Sequence, residues 1–392
     1  MRASSGPPTD PRHLELTVPT GVLPLGYVRE GSALYLIGRD RGARWPTQIL
    51  RTGVARLRID GQPAEGDVGL ISDPGERERV LGLFRERYGE RDFERWYSDP
   101  ARVLRVTFDR SSDVPVRSDH YHGWLRAEFD NVAYDYDRHI TGNRINRLLR
   151  DRSLVELRRA FRTAHRILEV GCGSGMETLP LLEEGHELVC VDISPRMLEV
   201  VSEKARRSGV LERLTTVPAS AADLPALVET LGSEKFDGAY STYGALNCEA
   251  ELESVAAAVA RLLRPEAPFV AGVYNRFCLV EMLGYGLTGQ WSRALGRTLR
   301  PIPVGSSRFC VDVFAFSVPE FARKFDPWFR VERVQGVPVV LPPSDLVAYA
   351  ERFGNGFERL ARWDLAVGVR WPFRLLGDHF LMTLRRRREL LS

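Results

Sequence analysis

From Arg166 onward the chain alternates short apolar runs with helical stretches, and that alternation limits the fold more than any other feature. The runs are "RILEV", "ELVCVD", "RLTTV", "FDGAYS" and "PFVAGVY", and a helix is expected over residues 141–161, ahead of the first of them. Strands joined through helices build a mostly parallel sheet with both faces covered. "FRVERV", from Phe329, and "DHFLMTLR", from Asp378, add two further strands. The expected class is α/β, with a Rossmann-like sheet and a smaller β domain before it.

That smaller domain shows in a change of texture. Residues 1–12 are rich in Pro, Ser and Gly and are expected to be disordered. Over 13–108 the β-like runs "LELTV", "ALYLIG", "ARLRID", "GDVGLIS" and "VLRVTF" are punctuated by Gly-containing turns and interrupted by one helical segment, "ERERVLGLFRERYG". This pattern predicts a small barrel or sandwich. The polar stretch 109–124 reads as a linker, and 125–392 as the second domain, with an insertion over about 276–317.

The first βα connection is where a ligand is expected. After the buried strand Ile167, Leu168, Val170, the residues Gly171, Cys172, Gly173, Ser174 and Gly175 turn the chain toward a helix. Glycines there permit φ > 0 and let the backbone approach a ligand. The next strand ends in Asp192, twenty-one residues after Gly171, where a carboxylate suits the two hydroxyls of a ribose. Ser194 and Pro195 then cap and open the following helix. A dinucleotide fingerprint, GxGxxG/A, would need Gly or Ala where Met176 stands. The spacing is GxGxG instead, and an acid, Glu169, precedes it by two residues, which suits a cationic, amino-acid-bearing cofactor better than NAD.

In these features residues 125–385 resemble a class I S-adenosylmethionine-dependent methyltransferase. The family's [E/D]xGxGxG motif stands as "EVGCGSG", its second acid as Asp192 in "VCVDISPRML", and its adenine-clasping stretch as "ASAADLP". The last departs from the pattern at Ser220, where an aspartate is common. "FDGAYSTYGALN" occupies the fourth-strand motif, and "FDNVAYDYDRH" the segment whose tyrosine, here Tyr136, folds over the cofactor. The resemblance implies a seven-stranded sheet whose last strand is antiparallel. It also implies S-adenosylmethionine held by Tyr136, Glu169, Gly171, Cys172, Gly173, Gly175, Asp192, Ile193, Met197, Ser220, Ala221, Thr242 and Tyr243.

Methyl transfer from a sulfonium needs orientation and desolvation, and a base only where the acceptor carries a proton of unsuitable pKa. No catalytic residue is therefore dictated by the pattern; the candidates are Tyr243, Asn247, Asn275 and His139, with Tyr274 beside them. The base-gripping signature [ND]PP[YFW] is replaced by "STYG", which argues against nucleic-acid N-methylation. Phe277, Met282, Tyr285, Trp291, Phe309 and Phe314 make the insertion a lid over a small apolar or aromatic acceptor, or else additional core. The acceptor's identity and the methylated atom stay open. Cys172 reads as a small filler, with a nucleophilic role as the lesser alternative. His120 and His122 lack a third ligand, so no metal is expected.

Residues 20–108 resemble the split β-barrel of deazaflavin- or flavin-dependent nitroreductases, through "LPLGYVREGSALYLIGRDRGARWPTQILRTGVARLRIDG", with Gln48 in place of the usual asparagine. Three readings stay open. The barrel binds a flavin-type cofactor near Arg39, Arg41 and Arg44 and makes the chain a reductase or bifunctional enzyme; it is a dimerisation or substrate-presenting module; or it is a different barrel. The second is favoured, with a homodimer through the barrel. A non-catalytic, cofactor-binding regulator is the remaining reading of the whole chain.

Charge and cysteine usage set outer bounds. A formal charge of +3 over 392 residues, with scattered arginines, predicts no nucleic-acid partner. No apolar run approaches the roughly 20 residues of a spanning helix, and "MRASSGPPTDPRH" has no secretory core. Five widely spaced cysteines without a CxxC pair suggest neither a disulfide framework nor a zinc site. A cytoplasmic protein with no membrane contact is the expectation.

Overall fold

The computed structural model describes residues 13–18, 21–30, 33–39, 44–59, 62–97, 100–107, 122–123, 125–126, 129–130, 132–249, 251–289, 291–298, 302–306, 309–343 and 354–388. The N-terminal stretch 1–12 and most of the linker 109–124 lie outside them. Two compact units are present, one comprising 1–128 with 303–311 and the other 129–302 with 312–392.

In the first unit six strands close into an antiparallel barrel: β1 (His13–Val18), β2 (Gly21–Glu30), β3 (Ala33–Arg39), β4 (Val54–Ile59), β5 (Gln62–Leu70) and β6 (Pro100–Thr107), in the order β1-β2-β3-β6-β5-β4. Closure gives every strand two neighbours in the barrel order. Leu34 and Leu36 on β3 face Val106 and Leu104 on β6, and Leu16 on β1 faces Leu57 on β4. All six are at most 4% exposed, so alternate residues fill the interior as a core. The opposite faces of β2 and β3, through Val28, Tyr35 and Ile37, pack with Val80, Phe84 and Phe93 from the helices Pro74–Tyr88 and Glu90–Tyr97.

Three elements of this unit differ from the sequence expectation: β2 and the helices Trp45–Thr52 and Glu90–Tyr97, where a single helix, matched by Pro74–Tyr88, was expected. β2 was not foreseen, because Pro24 and Gly26 interrupt its alternation; its first half pairs only with β1 and its second half only with β3. At Pro24 the strand therefore has a single ladder neighbour, which limits what a missing N–H removes. Trp45 and the residues after it do not run directly into a strand but form the helix Trp45–Thr52, with a proline in its first turn and Gly53 ending it at φ 66°.

The second unit is built on a seven-stranded sheet: β7 (Arg166–Val170), β8 (Glu187–Asp192), β9 (Leu214–Pro218), β10 (Gly238–Ser241), β11 (Pro268–Tyr274), β14 (Phe329–Val337) and β15 (His379–Arg386). A separate two-stranded sheet, most of which falls in the first unit, joins β12 (Ile302–Ser306) and β13 (Phe309–Val313). The large sheet runs β14-β15-β11-β10-β7-β8-β9, with β15 antiparallel to both neighbours. One face is covered by a core including Phe269, Phe321, Phe325 and Phe380, the other by Phe161, Leu181, Val201 and Tyr240. The order reverses at β7: the chain goes outward through β8 and β9, then returns to β10. This switch point opens a crevice beyond the carboxyl ends of β7 and β10. Among the described residues no helix is long and apolar enough to cross a membrane.

Candidate active site

The glycine turn between β7 and the helix Thr178–Glu183 has three left-handed residues: Gly171, Gly173 and Gly175, at φ 77°, 51° and 80°. A Cβ at Gly171 would come within 2.1 Å of the Ala245 Cβ, and one at Gly175 within 2.2 Å of Val201 Cγ2. At Gly173 the sole described neighbour within 4 Å would be Tyr136 Cε1, at 3.9 Å. Two of the glycines are thus required by packing, whereas the middle one leaves open backbone beneath the Tyr136 ring.

Asp192, at the end of β8, accepts hydrogen bonds from the backbone N–H of Gly173 at 2.7 Å and of Ser194 at 2.9 Å. A carboxylate has about four lone-pair directions, so two backbone bonds leave acceptor capacity for hydroxyls. Burial pushes its carboxyl up to about 6, against the lowering effect of those two bonds. Ser194 accepts from Met197 N–H at 3.1 Å and caps the helix Pro195–Arg207, which sets the end of the strand. Ile193 is half-buried, while Met197 and Ala221 are buried. The Ser220 hydroxyl donates to the Asp223 carboxylate at 2.8 Å, and its oxygen accepts from the Asp223 backbone N–H in a capping box.

Upstream residues are tied across this turn by polar contacts. Asp130 accepts from the Ser194 hydroxyl at 2.5 Å, and Asp137 accepts from the Ser174 hydroxyl and pairs with Lys204. Lys204 Nζ also donates to the Ser174 carbonyl at 2.7 Å. These bonds position the short helix Tyr136–Thr141 over the turn.

Glu169 is buried beside the glycine turn. Its carboxyl is 1% exposed and accepts from the Thr178 hydroxyl at 2.6 Å and the Cys190 thiol at 3.3 Å, bracing the turn from below. Burial pushes it up to about 7, although the Thr178 bond lowers it. Because the folded value lies above the ordinary 4.5, the folded state holds this proton more tightly than the unfolded chain. Its contribution to stability is complete below about pH 4.5 and is lost as pH rises through 7. Glu169→Gln, neutral throughout, is therefore expected to gain on the wild type between those limits, by on the order of 3 kcal/mol at pH 8. Paired denaturation curves from pH 4 to 8 check this; parallel curves would refute it.

Sequence reasoning missed Arg150. It donates to Glu177 at 2.6 Å, with side-chain exposures of 14% and 2%, and its guanidinium lies 4.9 Å from the Tyr243 ring centre. Ser153 supplies a second bond to Glu177, at 2.9 Å. Arg150 is one of many arginines in "RINRLLRDRSLVELRRA", and nothing in that run distinguishes it. The result is a buried cation close to the glycine turn.

Toward β11 the candidates separate. Asn247 and Asn275 are fully buried, and their amides are spent on backbone: Asn247 on Tyr274 and Phe314, Asn275 on Phe277, Leu375 and Gly377. Both side chains thereby tie loops together. The His139 side chain is outside the described part. Tyr243 has φ 51°, rare for a residue with a Cβ, and its hydroxyl donates to the Leu149 carbonyl. Thr242 is buried beside it. Cys172 carries a thiol pushed well above its ordinary value, by a hydrogen bond with Cys190 and by burial, which disfavours a nucleophile. His120 lies outside the described residues, so the HYH pair is not tested. Cys278, Glu281 and Asp378 approach one another closely, but Arg297 donates to both carboxylates at 2.6 Å and supplies the positive charge that a metal would bring. Of Arg39, Arg41 and Arg44, only Arg44 has a described side chain, and it is exposed.

Comparison with known proteins bears on the same region. Residues 167–266 match the family described as "Methyltransferase domain". The ubiquinone biosynthesis O-methyltransferase of Methylocella silvestris is 27% identical over 248 residues, which are 58% of this chain and 86% of that protein. The tRNA 5-carboxymethoxyuridine methyltransferase of Escherichia coli is 27% identical over 109 residues, 26% of this chain and 41% of that one. Among solved structures, the Burkholderia thailandensis 1,6-didemethyltoxoflavin-N1-methyltransferase is 19% identical, covering 71% of this chain and 93% of that chain, with a TM-score of 0.42.

Proposed function

We propose an acceptor for what the chain is, an S-adenosylmethionine-dependent methyltransferase carrying a class I methyltransferase domain. Its acceptor is a small aromatic or apolar molecule. The observation that carries this reading is the placement of half-buried Tyr243 and Tyr274 at the carboxyl ends of β10 and β11, beside the glycine turn's crevice. The Methylocella silvestris relative, an O-methyltransferase of ubiquinone biosynthesis by name, supports it.

The residues present suit the cofactor. Gly173 offers unobstructed backbone, Asp192 retains acceptor capacity for ribose hydroxyls, and Arg150 offers a buried cation to a carboxylate. Ser220, Ala221, Ile193 and Met197 border the position of a base. Bound S-adenosylmethionine supplies a methyl group already activated as a sulfonium. The chain's own part is to orient donor and acceptor, to exclude water and to remove any acceptor proton. The barrel, with its filled interior, is read as an accessory module for dimerisation or substrate presentation.

Calorimetric titration of the full chain with S-adenosylmethionine, followed by an acceptor screen scored by S-adenosylhomocysteine release, tests this reading. Micromolar binding with turnover of small aromatic molecules is the expected result. Turnover of RNA instead would reject the acceptor class, and absence of binding would reject the cofactor assignment.

A further inference from the structure

His379 was not among the residues that the sequence brought forward, yet it stands at the acceptor side of the sheet. It opens β15, whose antiparallel register sets it opposite Tyr274, the last residue of β11. Its ring meets Tyr274 and Tyr243 edge-on, with centroids 5.2 and 5.5 Å away. Nδ1 lies 3.1 Å from Asp378 Oδ2. A carboxylate accepts only, so Nδ1 carries a hydrogen toward Asp378 and Nε2 is the ring nitrogen left for another partner.

Asp378 is held rigidly behind it. Arg297 donates to Asp378 Oδ1 at 2.6 Å and to its carbonyl at 2.9 Å, and grips both oxygens of Glu281 at 2.6 Å. Burial alone would raise the Asp378 carboxyl, but Arg297 and His379 outweigh it and keep the group well below the usual carboxylate range. Two buried carboxylates against one guanidinium leave the cluster one negative charge in excess. The other charged or titratable groups near the ring are the Tyr243 and Tyr274 hydroxyls and Arg150, which lies over Tyr243.

We propose that His379, oriented by Asp378 and Arg297, is the general base that removes the proton from an aromatic hydroxyl, making the reaction an O-methylation. This rests on the methyltransferase reading above and names its substrate class. The acceptor's O–H proton passes to Nε2 while the oxygen's electron pair forms the bond to the methyl carbon. The methyl–sulfur bonding pair stays on sulfur, and the imidazolium afterwards gives its proton to water. His379 is the catalytic residue; Asp378 and Arg297 are positioning residues.

The test uses the full chain with catechol, 4-nitrophenol and 2-naphthol as hydroxyl probes, aniline as an amine probe, and S-adenosylhomocysteine release as the readout. The hydroxyl probes are expected to be methylated, with an acidic limb in the kcat profile. His379→Gln should lower kcat by about 100-fold and remove that limb, with S-adenosylmethionine affinity unchanged. Asp378→Asn should move the limb. Independently of turnover, the 15N signals of the His379 imidazole in the wild-type protein should show hydrogen on Nδ1 and an Nε2 signal that responds to 4-nitrophenol. Refusal of all three phenols by a protein that binds S-adenosylmethionine overturns the proposal, as does an unchanged His379→Gln profile or a bare Nδ1. Each of these leaves the cofactor reading intact. Failure of the wild-type chain to bind S-adenosylmethionine strikes the reading underneath.

Discussion

Asp192→Ala is expected to weaken S-adenosylmethionine binding by two orders of magnitude or more. The carboxylate is the buried acceptor for two backbone N–H groups, at Gly173 and Ser194, and in the proposed complex for two ribose hydroxyls. Truncation leaves all four donors without a partner, and each buried orphan costs about 1–3 kcal/mol. The backbone share of that loss falls on the free protein, so affinity should drop by a few kcal/mol while the thermal midpoint drops as well. Titration calorimetry on Asp192→Ala and on Asp192→Asn separates the two, since Asn keeps one acceptor oxygen. The carboxyl's value of about 6 adds a pH signature: as pH falls through it the carboxylate is neutralised, and wild-type affinity should decline toward pH 5. Wild-type affinity in the alanine variant would remove Asp192 from the site.

The second large effect concerns Arg150→Met. Glu177 would keep only the Ser153 hydroxyl as partner while 2% exposed, and breaking such a pair from one side costs about 3–5 kcal/mol. Arg150→Met combined with Glu177→Leu should recover much of this, because two apolar groups need no partner in the same space. Denaturation of the two variants and the wild type measures the difference. A double variant as unstable as the single one would show that the arginine's packing on Tyr243, rather than its charge, holds the region together. If Arg150 also faces the cofactor's carboxylate, the stable double variant will bind S-adenosylmethionine poorly.

The glycine turn and Asp192 were legible because their requirements are local. A left-handed backbone demands glycine, and a strand tip followed by Ser-Pro fixes where a carboxylate lands. The β7–β11 order and the antiparallel last strand followed from the alternation and from the family it resembles. The acceptor side was not legible, because its contacts are long in sequence. His379 meets Tyr243 and Tyr274 through the pairing of β15 with β11, more than a hundred residues earlier. Arg297 reaches Asp378 from within the insertion, which turns part of the expected lid into an anchor. Asn247 and Asn275 show the converse. Their position after strands invited a catalytic reading, but whether an amide faces a ligand or its own loops is decided by backbone carbonyls that sequence does not locate. Trp291, read as a lid aromatic, is 64% exposed.

The order of the large sheet also sets a schedule for assembly. β15 is its last strand in the chain, yet it lies between β11 and β14. During synthesis β7 to β11 can pair as they emerge, whereas β14 has no sheet neighbour until β15 has left the ribosome. The half of the crevice that faces the cofactor can therefore form early. The half containing His379 is completed only when that strand pairs with β11, which sets His379 opposite Tyr274.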